Sequence, residues 1–187
     1  LLVTEAYSYN VQDVPTPELY REYYPYTEIP KTAFNFRTSP YGMPDQVYIT
    51  DSTFRDGQQS REPYTTKQIV DIYKMMSKLS GPKGIVRQTE FFCYSDRDRE
   101  AIEACQDLGL EFPQITTWIR AKNEDFKVVK KVGVKETGIL TSCSDYHIFH
   151  KLNMSRRQAM DHYLGVVADA FEAGIVPRCH LEDITRA

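Results

Sequence analysis

The chain has 187 residues, 41% hydrophobic and 26% charged, a composition that suits one domain with a well-buried core. Its 23 Lys and Arg against 26 Asp and Glu leave a formal charge of −3, which supplies no basic face for nucleic acid or an anionic membrane. No apolar run approaches the roughly 18 residues of a membrane span, no signal-peptide pattern opens the chain, and Cys93, Cys105, Cys143 and Cys179 show no C-x-x-C spacing, so the expectation is a cytoplasmic protein with reduced thiols.

Residues 1–45 form a Tyr- and Pro-rich stretch: Tyr7, Tyr9, Tyr20, Tyr23, Tyr24, Tyr26 and Tyr41 lie among Pro15, Pro17, Pro25, Pro30, Pro40 and Pro44. Prolines so close together exclude long helices, and the aromatic content is too high for a typical disordered tail. The expectation is an ordered extension lying on the body of the protein or on a partner subunit.

From Val47 the pattern alternates. Val47 to Thr50 is a short β-prone run. A helix follows over about 65–79, capped by Thr65 with Gln68 closing a capping box, its apolar face made by Ile69, Ile72, Tyr73 and Met76. Gly81-Pro82 ends it. The second strand falls near Val86 to Phe92 and the second helix over about 95–108, with Ala101, Cys105 and Leu108 inward and Gly109 as terminator. A third strand spans about Gln114 to Ile119, and a helix starting near Asn123 buries Phe126 and Val129 and stops at Gly133. Strand four is about Glu136 to Thr141. Helix four carries a Ser155 cap, a Gln158 box and an apolar face of Met160, Tyr163, Leu164, Val167 and Phe171, then Gly174. Strand five lies near Val176 to Leu181.

Strands and helices in strict alternation imply parallel strands joined by right-handed crossovers, in a (β/α)-barrel or a doubly wound open sheet. The first strand-to-helix loop has neither a G-x-G-x-x-G nor a P-loop pattern, which removes the best support for a nucleotide-binding open sheet. A closed (β/α)8 barrel takes roughly 250 residues, so residues 46–187 supply about the first five βα units. The sequence stops just after strand five, where a helix is expected, and is read as the front part of a longer barrel.

Function in such folds gathers at the carboxyl ends of the strands. Those ends carry Asp51, Thr53, Arg55, Asp56 and Gln59 after strand one, Glu90 on strand two, Arg120 on strand three, Thr141, Ser142, His147 and His150 after strand four, and His180, Glu182 and Asp183 on strand five. Gly57 offers backbone freedom to turn the chain over the strand mouth. Arg55 offers a planar fork of donors for an oxyanion, and Asp56 a hard oxygen for a divalent cation.

The run Asp51-Ser-Thr-Phe-Arg-Asp-Gly-Gln-Gln59 resembles the D-x-T-x-R-D-G-x-Q signature of the DRE-TIM metallolyase family, which includes the isopropylmalate and homocitrate synthases, hydroxymethylglutaryl-CoA lyase and the carboxyltransferase domain of pyruvate carboxylase. Arg87 to Glu90, Thr141 to Leu152 and Leu181 to Arg186 extend the resemblance, the last two toward the isopropylmalate/homocitrate synthase branch. The resemblance implies a TIM barrel and a metal-dependent acyltransferase that condenses acetyl-CoA with a 2-oxo acid. It implies Asp56 as ligand of a divalent cation (Mg, Mn or Zn), Arg55, Glu90 and Glu182 as catalytic groups, and Gln59, Arg120, His147 and Thr141 as substrate-binding ones. A homodimer is expected, with no nucleic-acid or membrane partner. Lyase-like or carboxyltransferase-like chemistry, or a non-catalytic half-barrel, are the alternatives. The family completes its metal site with an H-x-H pair, which this sequence lacks. His180 and Glu182, on one side of strand five, offer a substitute with Asp56.

Overall fold

The computed structural model describes residues 11–19 and 45–187. The extension expected over residues 1–45 otherwise lies outside the described residues.

The order of elements follows the alternation in the sequence. Strands β1 (Ile49–Asp51), β2 (Val86–Phe91), β3 (Gln114–Arg120), β4 (Glu136–Ser142) and β5 (Val176–Glu182) alternate with helices α1 (Thr66–Ser80), α2 (Asp96–Gln106), α3 (Phe126–Lys131) and α4 (Arg156–Glu172). All five strands are parallel in the order β1-β2-β3-β4-β5, a half-barrel with one face under helices and the other forming the wall of a lumen. No described helix is long and apolar enough to cross a membrane.

Local chemistry starts the helices where expected. Thr65, Ser95 and Ser155 each accept a backbone N–H three residues on, and Gln68, Asp98 and Gln158 reciprocate to the cap N–H. Replacing Ser155 with Ala should lower stability by about 1 kcal/mol, read as a shifted denaturation midpoint at constant m-value. Helix three begins as a 3-10 turn over Asn123–Asp125 and becomes α-helical at Phe126.

Period-two alternation divides each strand between its two faces. Phe91, Ile119 and Ile139 point to the helices and pack with Ile69, Tyr73, Ile102, Val129 and Val166 in the buried core. Gln88 and Glu90, Thr116 and Trp118, Glu136 and Gly138, and Arg178 and His180 share the opposite, lumen face. Helix α4 departs from its expected packing. Its buried residues are the small Ala159, Val166 and Ala170, while Met160, Leu164 and Phe171 are 38%, 46% and 44% exposed. The larger side chains Met160, Leu164 and Val167 turn toward β5, where with Cys179 and Leu181 they line a groove of about 600 Å³. Small residues seat the helix close to the sheet, so the bulky stripe is left for the next layer position around the barrel.

The described stretch 11–19 lies on the start of α4. Arg156 donates to the carbonyl of Gln12 at 3.0 Å and to Glu18 at 3.2 Å while holding Asp145 through two 2.8 Å bonds, and the Glu18 N–H donates to Asp145 at 2.8 Å.

Candidate active site

The turn leaving β1 is built around Asp51. Its carboxylate accepts the backbone N–H of Thr53 at 3.1 Å, the Thr53 hydroxyl at 2.7 Å and the Thr89 hydroxyl at 2.8 Å, which ties the turn to β2. Asp51 is thereby the brace of the motif. The N–H groups of Arg55 and Gly57 both donate to the Ser52 carbonyl, and a 3-10 turn over Asp56–Gln58 continues toward α1. The special backbone expected of Gly57 is absent. Its φ is not positive, and a Cβ there would meet Thr53 Cγ2 at an ordinary 3.7 Å, because a 3-10 turn uses conformations open to every residue. Gly57→Ala should therefore keep the melting temperature or raise it slightly, by up to about 1 kcal/mol of stability in a thermal scan.

Arg55 and Asp56 stand at the mouth of β1. Arg55 Nε donates to Glu90 Oε2 at 2.7 Å, Nη1 donates to Asp56 Oδ1 at 2.6 Å, and the guanidinium carbon lies 3.9 Å from the centre of the Trp118 ring. Nη2 has no partner among the described residues. On the other side of Glu90, Arg178 Nη2 donates to Oε1 at 2.6 Å. The Glu90 side chain is only 3% exposed, so a buried carboxylate is clamped between two guanidinium groups. Both oxygens of Glu90, expected among the catalytic groups, are used by arginines. Arg178 also donates through Nη1 to Gln88 and through Nε to His180 Nε2 at 3.0 Å. Burial, then the neighbouring Arg178 charge, hold the His180 imidazole below its ordinary pKa against the pull of Glu90.

A second group forms where β4 and β5 end. Glu182 Oε2 accepts from Lys151 Nζ at 2.7 Å and from the Ser142 hydroxyl, and His147 Nδ1 lies 3.3 Å away. Burial pushes the Glu182 carboxyl upward, but the Lys151 and Ser142 bonds outweigh it and leave the pKa below the ordinary value. Its other oxygen has no partner among the described residues. His147 and Lys151 bound a single π-helical turn, an irregularity that the apolar periodicity does not announce. Among the described residues His147 Nδ1 is buried without a hydrogen-bond partner, and His150 packs against Tyr146 with the ring planes inclined at 60°.

Arg55, Asp56, Gln59, Trp118, His180 and Glu182 line one cleft of about 490 Å³ at the carboxyl ends of the strands. Of the four expected substrate contacts Gln59 lines this cleft, His147 stands beside Glu182, and Thr141 and Arg120 lie elsewhere. Thr141 points to the helix side, 3% exposed, and its hydroxyl donates to the His180 carbonyl at 2.8 Å; Ser142, one residue on, is the side chain that faces the lumen. Arg120 forms a two-pronged pair with Asp125 at 2.8 and 3.0 Å, and Tyr94 donates to the same carboxylate at 2.7 Å. Trp118 and Arg178 belong to no motif of the sequence, although they keep the parity of Arg120 and Glu182 along their strands; Lys151 lies within the Thr141 to Leu152 stretch of the resemblance.

Among the described residues no group of three or more His, Cys, Asp or Glu side chains is placed to hold a metal ion, so the substitute trio of Asp56, His180 and Glu182 is not formed. His180 offers Nε2 to Arg178, and Glu182 is engaged by Lys151. Asp56 fits as one ligand, with a half-exposed carboxylate and one oxygen shared with Arg55. The described residues do not complete a cation site unaided.

The HMGL-like family model matches residues 46–187. This chain belongs to the HMGL-like family. It is 59% identical over 184 residues to a citrate (Re)-synthase of Syntrophus aciditrophicus, an alignment that covers 98% of this chain and 29% of that protein. A 2-phosphinomethylmalate synthase of Streptomyces hygroscopicus is 39% identical over 95% of the chain and 41% of its own length. A probable 2-isopropylmalate synthase of Ignicoccus hospitalis is 31% identical over 78% of the chain and 36% of its own length. The chain thus spans well under half the length of these relatives.

Proposed function

We propose that the complete protein containing this chain is an acyltransferase that condenses acetyl-CoA with a 2-oxo acid, and that the acid is oxaloacetate and the product citrate. The observation that carries the reading is Arg55, held by Glu90 and Trp118 with Nη2 unpartnered among the described residues, in the same cleft as Glu182. The 59% identity to a citrate (Re)-synthase supports citrate as the product. Citrate disconnects beside its carbinol carbon into an acetyl unit and oxaloacetate. The sequence-level resemblance pointed to the isopropylmalate/homocitrate branch, and citrate formation is the same reaction on a shorter dicarboxylic oxo acid.

In this mechanism Glu182 takes a proton from the acetyl-CoA methyl group through the oxygen that Lys151, Ser142 and His147 leave open. The resulting enolate carbon bonds to the keto carbon of oxaloacetate. The keto oxygen gains negative charge, which Arg55 meets with its Nη2 edge, fixed in advance so that little reorganisation is needed. That oxygen takes up a proton, which balances the one Glu182 removed, and water then cleaves the thioester to citrate and CoA. A divalent cation, ligated by Asp56 and by groups outside the described residues, supplies Lewis-acid polarisation when bound.

The test is thiol release from acetyl-CoA by the complete protein, supplied in turn with oxaloacetate, 2-oxoglutarate and 2-oxoisovalerate. Oxaloacetate should give the largest kcat/KM. Citrate made from labelled acetyl-CoA and cleaved by an Si-type citrate lyase should place the label in oxaloacetate. Absence of thiol release with every oxo acid sinks the reading.

A further inference from the structure

We propose that Trp118 determines which 2-oxo acids this cleft accepts, by forming its floor beneath Arg55; the proposal rests on the synthase reading above. Trp118 is the single tryptophan of the chain and lies in register with Gly138 on β4. Its indole crosses the bare backbone of that glycine and reaches β5, where its ring centre is 4.1 Å from that of His180, with the planes inclined at 58°. A Cβ on Gly138 would come within 2.7 Å of Trp118 Cε3 and 3.2 Å of His180 Nε2. Gly138 φ is not in the left-handed region, so space, not backbone conformation, is what this glycine supplies.

The upper face of the same indole carries the Arg55 guanidinium at 3.9 Å. An oxo acid whose keto oxygen meets Arg55 shares the cleft with the Trp118 and His180 rings. Close-packed rings leave no room to accommodate extra carbons by small shifts. A four-carbon dicarboxylic oxo acid lies above this floor, whereas a longer or branched chain runs into it. The floor also sits beside charge: His180 accepts from Arg178, which pairs with Glu90. That polar surrounding disfavours an alkyl branch.

The experiment compares kcat/KM of the complete protein for oxaloacetate, 2-oxoglutarate and 2-oxoisovalerate in wild type, Trp118→Ala and Trp118→Phe. In Trp118→Ala the ratio of either larger acid to oxaloacetate should rise at least about tenfold, the scale on which a pocket separates substrates by a methylene or more. Trp118→Phe keeps a ring under Arg55 and should show a smaller change in ratio with a better-preserved kcat. Gly138→Ala, which drives the indole upward, should raise KM for oxaloacetate more than it lowers kcat. Should Trp118→Ala fail to fold by circular dichroism, the ratios in Trp118→Phe and Gly138→Ala decide the matter. An active wild type with ratios unchanged within about twofold in the folded variants overturns this inference alone, since a methylene-scale steric limit is at least several times larger. A wild type inactive with all three acids removes the synthase reading, and this inference with it.

Discussion

Arg55→Met in the complete protein should lower kcat/KM for the condensation by about 10²- to 10³-fold, the loss typical of one preorganised oxyanion donor. The size follows from how little freedom the native side chain has. Nε is bonded to Glu90, Nη1 to Asp56 and the flat face to Trp118, so the remaining edge is aimed before substrate arrives. Arg55→Lys should recover only a minor part of the loss. A lysine presents one compact ammonium, which cannot bond Glu90, stack on the indole and meet a substrate oxygen at once. Steady-state kinetics on variants that melt within a few degrees of wild type check this. Near-wild-type turnover in Arg55→Met would remove Arg55 from the mechanism.

Glu90→Ala should cost about 3–5 kcal/mol of stability, the scale for stripping one partner from a buried ion pair. Glu90 is the shared counter-charge of Arg55 and Arg178, and its side chain is nearly solvent-free. Without it the two guanidinium groups face each other across the lumen with their mutual repulsion uncompensated. Glu90→Gln keeps the shape and an acceptor oxygen, so its loss should be smaller. Urea denaturation midpoints of the three proteins separate these outcomes. A loss below about 1 kcal/mol in Glu90→Ala would mean that solvent already screens the pair, as at surface sites.

The two expectations differ in how far they could be anticipated. Arg55 and Asp56 stand out in the sequence, because a nine-residue run at a strand end carries an unusual density of charge and resembles a known signature. Glu90 was also legible as a strand-two residue of the resemblance, but its role was not. A carboxylate on a strand reads equally as catalyst, ligand or brace until its partners are known, and here one partner comes from the turn after β1 and the other from β5. Arg178 was passed over although it has the parity of His180 and Glu182 on β5. Thr141 and Ser142 both stand at the end of strand four in the sequence, but adjacent strand residues face opposite sides of the sheet, and Ser142 is the one on the lumen side.

What the sequence by itself determined is everything governed by neighbours within a few residues. Caps at Thr65 and Ser155 satisfy their own helix N–H groups, and apolar spacing of two or near 3.6 assigns strands and most helix faces. The strand–helix alternation then leaves parallel pairing as the physical solution. Only the tertiary structure decided which side chains meet across the lumen. Trp118 reaches His180 because the β3–β4 register sets it over Gly138, and Arg178 reaches Glu90 from three strands away. The same holds for α4, where small residues win the sheet contact and the larger apolar stripe faces sideways. Periodicity reports the face on which a side chain lies; the distance to its partner depends on register, barrel curvature and the volume of what lies between.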